Sequence, residues 1–318
     1  MKKKIFLSRR LPKAGMDLLT GSEFETDIHH SDTALSPAQL RERVRDVHGL
    51  ICFLDDKINK SLIDAAPSLE VISNTAVGFN NIDIDYAGSK NIAVCNTPGI
   101  LTETTAELAW ALLFSIARRI PESDAFVREG KFTGWQPMLM LGSDIRKKTL
   151  GVIGAGRIGT AFALMSKGFS MRVLYSGKPN PVLEKEIGAE NVDRDTLLKE
   201  SDFISLHIPL RQDNYHLIGK KEFSIMKNSA YLINTARGPV VDEKALIEAL
   251  KTGQIAGAGL DVYEHEPELT PGLADLKNVV LTPHTGSASI STRNILAVMT
   301  VENCLNVLRG ETCSNRVV

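Results

Sequence analysis

Short runs of apolar residues alternate along the chain with segments whose apolar residues recur at helical spacing. In the first hundred residues, the runs predict strands at residues 4–8, 49–54, 71–76 and 92–95. Helix signals lie between them. The clearest is Ser36-Pro37, where an N-cap residue precedes a proline at the first helical position. Strands that alternate with helices in this way predict a parallel sheet covered by helices.

The same alternation resumes near residue 149 and predicts a second parallel sheet. Apolar runs of strand length occupy residues 150–153, 171–175, 203–207, 230–234, 255–262 and 279–282, and a helix is predicted at 243–250. A last helix is predicted at about 291–308, and we expect it to return to the first sheet. Its predicted apolar face consists of Ile295, Val298, Val301, Leu305 and Leu308. The predicted fold class is α/β, with two doubly wound parallel-sheet (Rossmann-like) domains.

A long helix is predicted between the two halves, from about residue 103 to 119. Thr102 is its expected N-cap and Pro121 its expected stop. Apolar residues cover most of its faces, which favours burial between two domains or two subunits, and we expect it to bridge the domains. The following segment, residues 131–140, has the sequence KFTGWQPMLM, which is too apolar for a solvated loop. We expect it to pack on other protein surface such as a partner subunit, with Trp135 as the anchor.

A glycine-rich turn joins the first strand of the second half to a predicted helix. The turn is Gly154-Ala155-Gly156-Arg157-Ile158-Gly159. In a dinucleotide site, the first glycine permits the tight turn, the second lets the pyrophosphate approach the backbone, and the third lets helix and strand pack closely. The pyrophosphate then binds at the helix N-terminus, where free N–H groups favour anions. A purely structural glycine turn is the alternative, but the strand before it and the helix after it favour a dinucleotide site.

The end of the next predicted strand bears on which dinucleotide binds. An NAD site usually has Asp or Glu about 20 residues after the glycines, where it binds the ribose 2′-hydroxyl. This chain has Ser176-Gly177-Lys178 instead. No carboxylate in this triplet repels a 2′-phosphate.

Length and composition are those of a soluble globular protein of roughly two domains: 318 residues, 43% hydrophobic and 24% charged. Basic and acidic residues number 37 and 38, which gives no electrostatic reason to expect nucleic acid or a membrane as partner. Small molecules or copies of the chain are the expected partners. The cysteines lack CxxC spacing, which favours reduced, buried thiols over disulfides or a metal site, and a cytoplasmic location. They are Cys52, Cys95, Cys304 and Cys313.

Three further motifs follow predicted strands of the second half, at the end where ligands bind in open α/β sheets. Arg237 offers a planar cation suited to a carboxylate, although a surface ion pair is the alternative. Residues 259–267 contain Asp261, Glu264 and Glu266, whose alternative is a solvated acidic loop. His284 is a candidate proton donor and acceptor, although a lone histidine is more often structural. Together, an arginine, an acid and a histidine at successive strand ends match what hydride transfer to a 2-oxo acid requires.

In the first half, Val77-Gly78 follows a predicted strand. Its backbone N–H groups are candidates for binding a carboxylate, and a plain turn is the alternative.

The sequence resembles the D-isomer-specific 2-hydroxyacid dehydrogenases over nearly its full length. Seven ordered motifs carry the resemblance: VGFNNID, NTPGILTETTAEL, GVIGAGRIG, HIPL, INTARGPVVDEKAL, GAGLDVYEHEP and LTPHTGS. Within that family, Trp135-Gln136-Pro137, the stretch YSGK at 175–178 and the HTGSAS ending are most similar to glyoxylate/hydroxypyruvate reductases.

The resemblance implies a role for each matching residue. His284 would be the general acid/base, Glu266 its partner that raises the pKa of the imidazolium, and Arg237 the anchor of the substrate carboxylate. The N–H groups of Val77 and Gly78 would assist Arg237, and Asp261 would hold the nicotinamide carboxamide. The cofactor would be lined by Thr105 (or its neighbour Thr104), Gly154, Gly156, Arg157, Ile158, Gly159, Ser176, Gly177, Lys178, His207, Pro209, Thr235, Ala236, Asp261, Gly286 and Ser287.

The resemblance also implies a discontinuous substrate-binding domain, residues 1–100 and 288–318, hinged to a dinucleotide-binding domain at 101–287. The expected enzyme is a homodimeric, NADP-dependent reductase of glyoxylate and hydroxypyruvate, with Trp135 near the partner's active site. The closest alternative is a 2-ketogluconate reductase or another D-2-hydroxyacid dehydrogenase. An alternative of another class is a dinucleotide-sensing, corepressor-like binding protein, which the intact set of Arg237, Glu266 and His284 disfavours.

Overall fold

The computed structural model describes residues 2–318. Its strands are β1 Lys4–Leu7, β2 Glu25–Ile28, β3 Gly49–Cys52, β4 Val71–Asn74, β5 Ala93–Cys95, β6 Thr149–Ile153, β7 Arg172–Ser176, β8 Glu190–Asn191, β9 Phe203–Leu206, β10 Tyr231–Asn234, β11 Gly257–Leu260 and β12 Val279–Leu281. Its α-helices are α1 Lys13–Thr20, α2 Pro37–Arg43, α3 Lys60–Asp64, α4 Ile84–Ser89, α5 Thr102–Ala117, α6 Ile120–Arg128, α7 Arg157–Met165, α8 Pro181–Ile187, α9 Arg194–Glu200, α10 Lys220–Ile225, α11 Glu243–Lys251 and α12 Ile290–Arg309.

The chain divides into two compact units. One consists of the residues up to Leu101 together with Ala288–Val318, and the other is Thr102–Ser287. Each unit contains one parallel sheet, which confirms the predicted α/β class. Every predicted strand is present, with ends that differ by one or two residues.

The sheet of the first unit has the order β2-β1-β3-β4-β5. Side chains of β1, β3, β4 and β5 alternate between two apolar cores, as Ile5 and Phe6 of β1 illustrate. Helices α1 and α12 cover one face, and α2, α3 and α4 cover the other. Strand β2 was not predicted, because its sequence ETDI contains no apolar run.

Helix α12 packs on β3, β4 and α1, so its predicted return to the first sheet is confirmed. The predicted apolar face was partly wrong. Ile295 is 52% exposed, whereas Leu296, Ala297 and Thr300 are buried. A small residue is needed where α12 meets α1, because a Cβ on Gly15 would lie 2.7 Å from the Cβ of Ala297.

The sheet of the second unit has the order β12-β11-β10-β9-β6-β7-β8. The chain leaves β6 towards β7 on one side and returns to β9 on the other, and this reversal creates the crevice at which ligands bind in open α/β sheets. Helices α9, α10 and α11 cover one face, and α5, α7 and α8 cover the other.

The stop predicted for the helix after residue 101 was wrong. The helix ends at Ala117, and Pro121 does not stop it but lies in the first turn of α6, after Arg119 adopts a left-handed conformation (φ 55°). Proline is favoured there because its missing N–H has no partner in the first turn of any helix. Helix α5 packs on α7, β10 and β11 of its own unit, and the predicted bridge between domains stays a prediction. Glycines in β11 make room for it: a Cβ on Gly259 would lie 3.0 Å from the Cβ of Leu112.

The apolar segment at residues 131–140 makes little contact with its own chain. Trp135 is 83% exposed, Met138 76% and Phe132 55%. The expected partner for this segment therefore has to lie outside the chain, and it remains a prediction. Among residues 2–318, no helix is both long enough and apolar enough to cross a membrane.

Candidate active site

The three glycines of the turn have different steric environments. Gly154 follows β6 with φ 96°, and a Cβ there would lie 2.5 Å from the carbonyl oxygen of His207. A Cβ on Gly159 would lie 2.0 Å from the carbonyl oxygen of Gly154, so helix and turn are in direct contact. Gly156, by contrast, has nothing within 4 Å of its Cβ position. It is the N-cap of α7, so the open space lies where an anion would meet the helix N-terminus.

Ser176, Gly177 and Lys178 lie beside this turn, because β7 pairs with β6 in a register that aligns Ser176 with Ile153. The N–H of Gly154 donates to the carbonyl oxygen of Ser176 at 3.0 Å. Ser176 is half-buried, and Lys178 is exposed, as is Arg157 at the start of α7. The end of β7 thus places a serine and a lysine in the chain beside the glycine turn.

His207 and Pro209 follow β9, the strand on the other side of β6. Burial lowers the pKa of His207 to about 3, so its imidazole is neutral at ordinary pH. Its Nε2 lies 2.9 Å from Oγ of Ser205, and its ring packs on Phe162. His207 therefore supports the glycine turn as a neutral side chain, while Pro209 is exposed.

Thr235, Ala236 and Arg237 follow β10, in a turn closed by Asn234. Asn234 accepts from the N–H of Ala236 (3.0 Å) and donates to the carbonyl oxygen of Arg237 (3.0 Å). Burial lowers the pKa of Arg237, whereas the negative charge of Glu266 acts in the opposite direction. The guanidinium nevertheless stays charged, because arginine titrates far above neutrality. Within residues 2–318, the buried Oγ1 of Thr235 has no hydrogen-bond partner. A buried hydroxyl in this state is expected to bind a ligand or water.

Asp261 follows β11 and holds the loop that carries His284. It is 1% exposed. Its Oδ1 accepts from Oγ1 of Thr282 (2.6 Å) and from the N–H of Thr285 (2.7 Å), and its Oδ2 accepts from the N–H of Gly286 (2.8 Å). The carboxylate thus has an extensive structural role, which the sequence did not indicate.

Thr105 of α5 reaches the same loop: a Cβ on Gly286 would lie 3.3 Å from its Cγ2. Ser287 is half-buried beside Gly286.

His284 and Glu266 form a direct pair. Nδ1 of His284 lies 2.8 Å from Oε2 of Glu266, and Oε1 of Glu266 accepts from the N–H of Tyr263 at 3.0 Å. Burial opposes the charge on Glu266, but the bond from His284 and its positive charge outweigh burial and hold the pKa of Glu266 below its ordinary value. Because Nδ1 is engaged, Nε2 is the ring nitrogen available for proton exchange. The side chain of His284 is 32% exposed, so a small molecule can reach it.

The loop that carries Glu266 rests on residues that sequence reasoning missed. Glu243 at the start of α11 is 1% exposed, accepts from the N–H of Glu264 at 2.8 Å and accepts from Oγ1 of Thr270 at 2.5 Å. Glu264 pairs with His216 instead (Nε2 to Oε1, 2.9 Å). His216, Asp242 and Glu264 also have the residue types of a metal site, with one ligand atom from each within 4.8 Å of the others. These contacts join distant parts of the chain, and no local signal reveals them.

Val77 and Gly78 belong to the first unit, in the loop after β4. Two buried asparagine side chains hold this loop: Asn74 donates to the carbonyl oxygen of Gly78 and Asn96 to that of Val77, each at 2.8 Å. Val77 and Gly78 are both half-exposed.

Comparison with known proteins identifies the family of this chain. Residues 110–286 match the family model of the D-isomer specific 2-hydroxyacid dehydrogenase, NAD binding domain. The chain belongs to the D-isomer-specific 2-hydroxyacid dehydrogenase family. It is therefore an oxidoreductase, and the glycine turn lies in the family's dinucleotide-binding domain.

Relatives within this dehydrogenase family cover the whole chain. A glyoxylate reductase of Thermococcus litoralis is 48% identical over 100% of this chain and 97% of its own. A glyoxylate reductase of Korarchaeum cryptofilum is 47% identical over 100% of this chain and 96% of its own. Among solved structures, an NADPH-dependent glyoxylate/hydroxypyruvate reductase of Sinorhizobium meliloti, in complex with NADP and malonate, matches with a TM-score of 0.88 and 30% identity, over 100% of this chain and 97% of that one.

Proposed function

We propose that this dehydrogenase reduces glyoxylate and hydroxypyruvate to glycolate and D-glycerate with NADPH. The observation that carries the proposal is the His284–Glu266 pair, 2.8 Å apart, in the same unit as the glycine turn and Arg237. A proton donor and a fixed cation are what the reduction of a 2-oxo acid needs besides a hydride source. The glyoxylate reductases that match the full chain support the choice of substrate.

In the proposed reaction, the reduced nicotinamide supplies the hydride. His284, as imidazolium, donates the Nε2 proton to the carbonyl oxygen of the substrate, and Glu266 stabilises the imidazolium through Nδ1. Arg237 binds the substrate carboxylate, which orients the carbonyl carbon. We further propose that the N–H groups of Val77 and Gly78 take part in binding the substrate, with the first unit as the substrate-binding domain.

The residues present suit a dinucleotide. The open side of Gly156 admits a pyrophosphate at the start of α7, and the unpartnered hydroxyl of Thr235 is free to bind the cofactor. The preference for NADPH is supported by Ser176 and Lys178, which provide a hydroxyl and a cation where NAD sites usually have a carboxylate. The solved relative from Sinorhizobium meliloti contains NADP.

A homodimer is part of the proposal. Trp135, Met138 and Phe132 expose large apolar side chains in one short segment, which is typical of a surface that another chain covers. We propose that Trp135 lies near the active site of the partner.

A panel of 2-oxo acids, assayed with NADPH and with NADH, tests the function. We expect glyoxylate and hydroxypyruvate to have the highest kcat/KM, and NADPH to be preferred. Faster reduction of 2-ketogluconate would contradict the substrate assignment. Tight cofactor binding without turnover of any 2-oxo acid would favour a dinucleotide-sensing protein instead.

A further inference from the structure

Two cysteine thiols meet at the edge of the first sheet. Cys95 is the last residue of β5 and is buried, and Cys313 follows α12 and is half-buried. Their Sγ atoms lie 3.1 Å apart, although the residues are 218 positions apart in the chain. A disulfide needs an S–S distance of about 2.05 Å, so the sulfurs have to move by roughly 1 Å.

Backbone pairing holds both thiols in place. The C-terminal segment runs antiparallel to β5: the N–H of Val317 donates to the carbonyl oxygen of Val94 at 2.7 Å, and the N–H of Asn96 donates to that of Asn315 at 3.2 Å. These backbone hydrogen bonds therefore hold the segment of Cys313 beside Cys95, and the two thiols can react without unfolding of the first unit.

A chain of hydrogen bonds links the thiols to the loop of Val77. Asn303 of α12 accepts from Sγ of Cys313 (3.3 Å) and donates to the carbonyl oxygen of Asn96 (2.9 Å). Asn96 in turn donates to the carbonyl oxygen of Val77 (2.8 Å). Oxidation of Cys313 removes the S–H donor at the start of this chain.

We propose that Cys95 and Cys313 form a reversible disulfide that ties the C-terminal segment to strand β5 when the protein meets a hydroperoxide. In the first step, the sulfur of Cys313 attacks the peroxide: an S–O bond forms, the O–O bond breaks, and an alcohol or water leaves. In the second step, the sulfur of Cys95 displaces water from the sulfenic acid of Cys313. Two thiols and one hydroperoxide thus give one disulfide, one alcohol and one water. A dithiol reduces the disulfide back to the two cysteine thiols and is itself oxidised to a disulfide.

The order of the steps follows from exposure. Cys313 is the more accessible of the two thiols and meets the oxidant first. Burial, and then the contact with Cys313, raise the pKa of Cys95, so its thiolate is scarce at neutral pH. Disulfide closure is therefore slow at neutral pH and faster as the pH rises.

Peptide mapping of the full-length protein tests the proposal. After treatment with hydrogen peroxide and alkylation of the denatured chain, we expect a linked pair of peptides that contain Cys95 and Cys313, which dithiothreitol separates. Cys313→Ser should abolish the link. The matched control, Cys304→Ala, removes another buried thiol of the same unit and should retain it.

Thermal unfolding provides the second measurement. Oxidation should raise the unfolding midpoint of the wild type and of Cys304→Ala, and dithiothreitol should reverse the rise; Cys313→Ser should show no rise. The proposal is overturned if all thiols stay free after oxidation, if Cys313 reaches the sulfinic acid while Cys95 stays reduced, or if the cross-link joins two chains.

Discussion

Nδ1 of His284 lies 2.8 Å from Oε2 of Glu266, and each residue depends on a different part of the chain for its position. The backbone of His284 adopts a left-handed conformation (φ 54°), and its N–H donates to the carbonyl oxygen of Asp261 at 2.9 Å. Glu266 is held by the N–H of Tyr263. The pair therefore combines two loops, one after β11 and one after β12.

Removing either member of this pair should reduce turnover. We expect His284→Ala to lower kcat about 10²- to 10⁴-fold, the usual contribution of a general acid, while cofactor affinity is retained. Glu266→Gln keeps an acceptor for Nδ1 but removes the charge, so the alkaline limb of the pH–rate profile should move to lower pH. Glu268→Gln, an exposed acid of the same loop, is the control. An unchanged profile in Glu266→Gln would show that the charge of Glu266 does not act on His284.

The same pair predicts a stability change in acid. The pKa of Glu266 lies below its ordinary value of 4.5, so the carboxylate stabilises the folded state above that pH. This contribution is lost as the pH falls through the lower, folded-state pKa. The difference in unfolding free energy between wild type and Glu266→Gln should therefore be largest near neutrality and shrink below pH 4.5. Urea unfolding at a series of pH values measures it, and a difference that grows in acid contradicts the assignment.

Substitutions at two glycines of the turn should have different effects, one on the stability of the protein and the other on cofactor binding. Gly159→Ala places a Cβ 2.0 Å from a backbone oxygen, so it should destabilise the protein by about 2 kcal/mol or more. Gly156→Ala meets nothing within 4 Å, so stability should fall by no more than about 1 kcal/mol, the cost of alanine at an N-cap. The added methyl group nevertheless fills the pyrophosphate space, and the cofactor Kd should rise at least tenfold. Thermal unfolding and fluorescence titration with NADPH distinguish the two variants, and normal NADPH affinity in Gly156→Ala would place the pyrophosphate elsewhere.

Ser176 should control the choice of cofactor. Ser176→Asp introduces a carboxylate next to the glycine turn, which repels a 2′-phosphate and binds a 2′-hydroxyl. We expect the ratio of kcat/KM for NADPH over NADH to fall at least tenfold, and Lys178→Ala to lower it as well. Lys185→Ala removes an exposed cation of α8 and serves as the control. If Ser176→Asp leaves the ratio unchanged, the end of β7 is not the discriminating site.

Glu243 should affect turnover from a distance. Glu243→Ala leaves the N–H of Glu264 and the hydroxyl of Thr270 without their acceptor, which should cost about 1–3 kcal/mol of stability. Because the freed loop carries Glu266, kcat should fall while the KM for NADPH stays constant. Glu248→Ala, an exposed position on the same helix, should change neither quantity. A loss of stability with unchanged kcat would limit Glu243 to a structural role.

The exposed segment at residues 131–140 should control assembly. Trp135→Glu introduces a charge into the proposed contact, and we expect light scattering to show a shift from dimer to monomer together with a raised KM for the 2-oxo acid. Val182→Glu replaces another apolar residue, 52% exposed on α8, and should leave both unchanged. A wild-type protein that is monomeric at micromolar concentration contradicts the dimer.

Local sequence patterns predict much of the fold and of the candidate site. Apolar runs bounded by polar residues predict the strands, because a strand in a parallel sheet is buried on both faces. The glycine turn is also readable from local sequence, because Gly154, Gly156 and Gly159 occur within six residues, directly after one predicted strand and before a predicted helix. Arg237, Glu266 and His284 each follow a predicted strand, and parallel strands bring their carboxyl ends to one edge of the sheet.

The remaining features depend on contacts between distant segments, which local patterns do not contain. The buried face of α12 is selected by the shape of α1 and the first sheet, so Ile295 lies outside it despite its apolar side chain. Pro121 is compatible with a helix stop or a helix start, and packing selects the start. Glu243 and Glu264 meet across 21 positions, and Cys95 and Cys313 across 218. Hydrogen bonds are stronger, and unpaired polar groups cost more free energy, when they are buried. Burial arises only when distant segments of the chain pack together, so local patterns do not predict it.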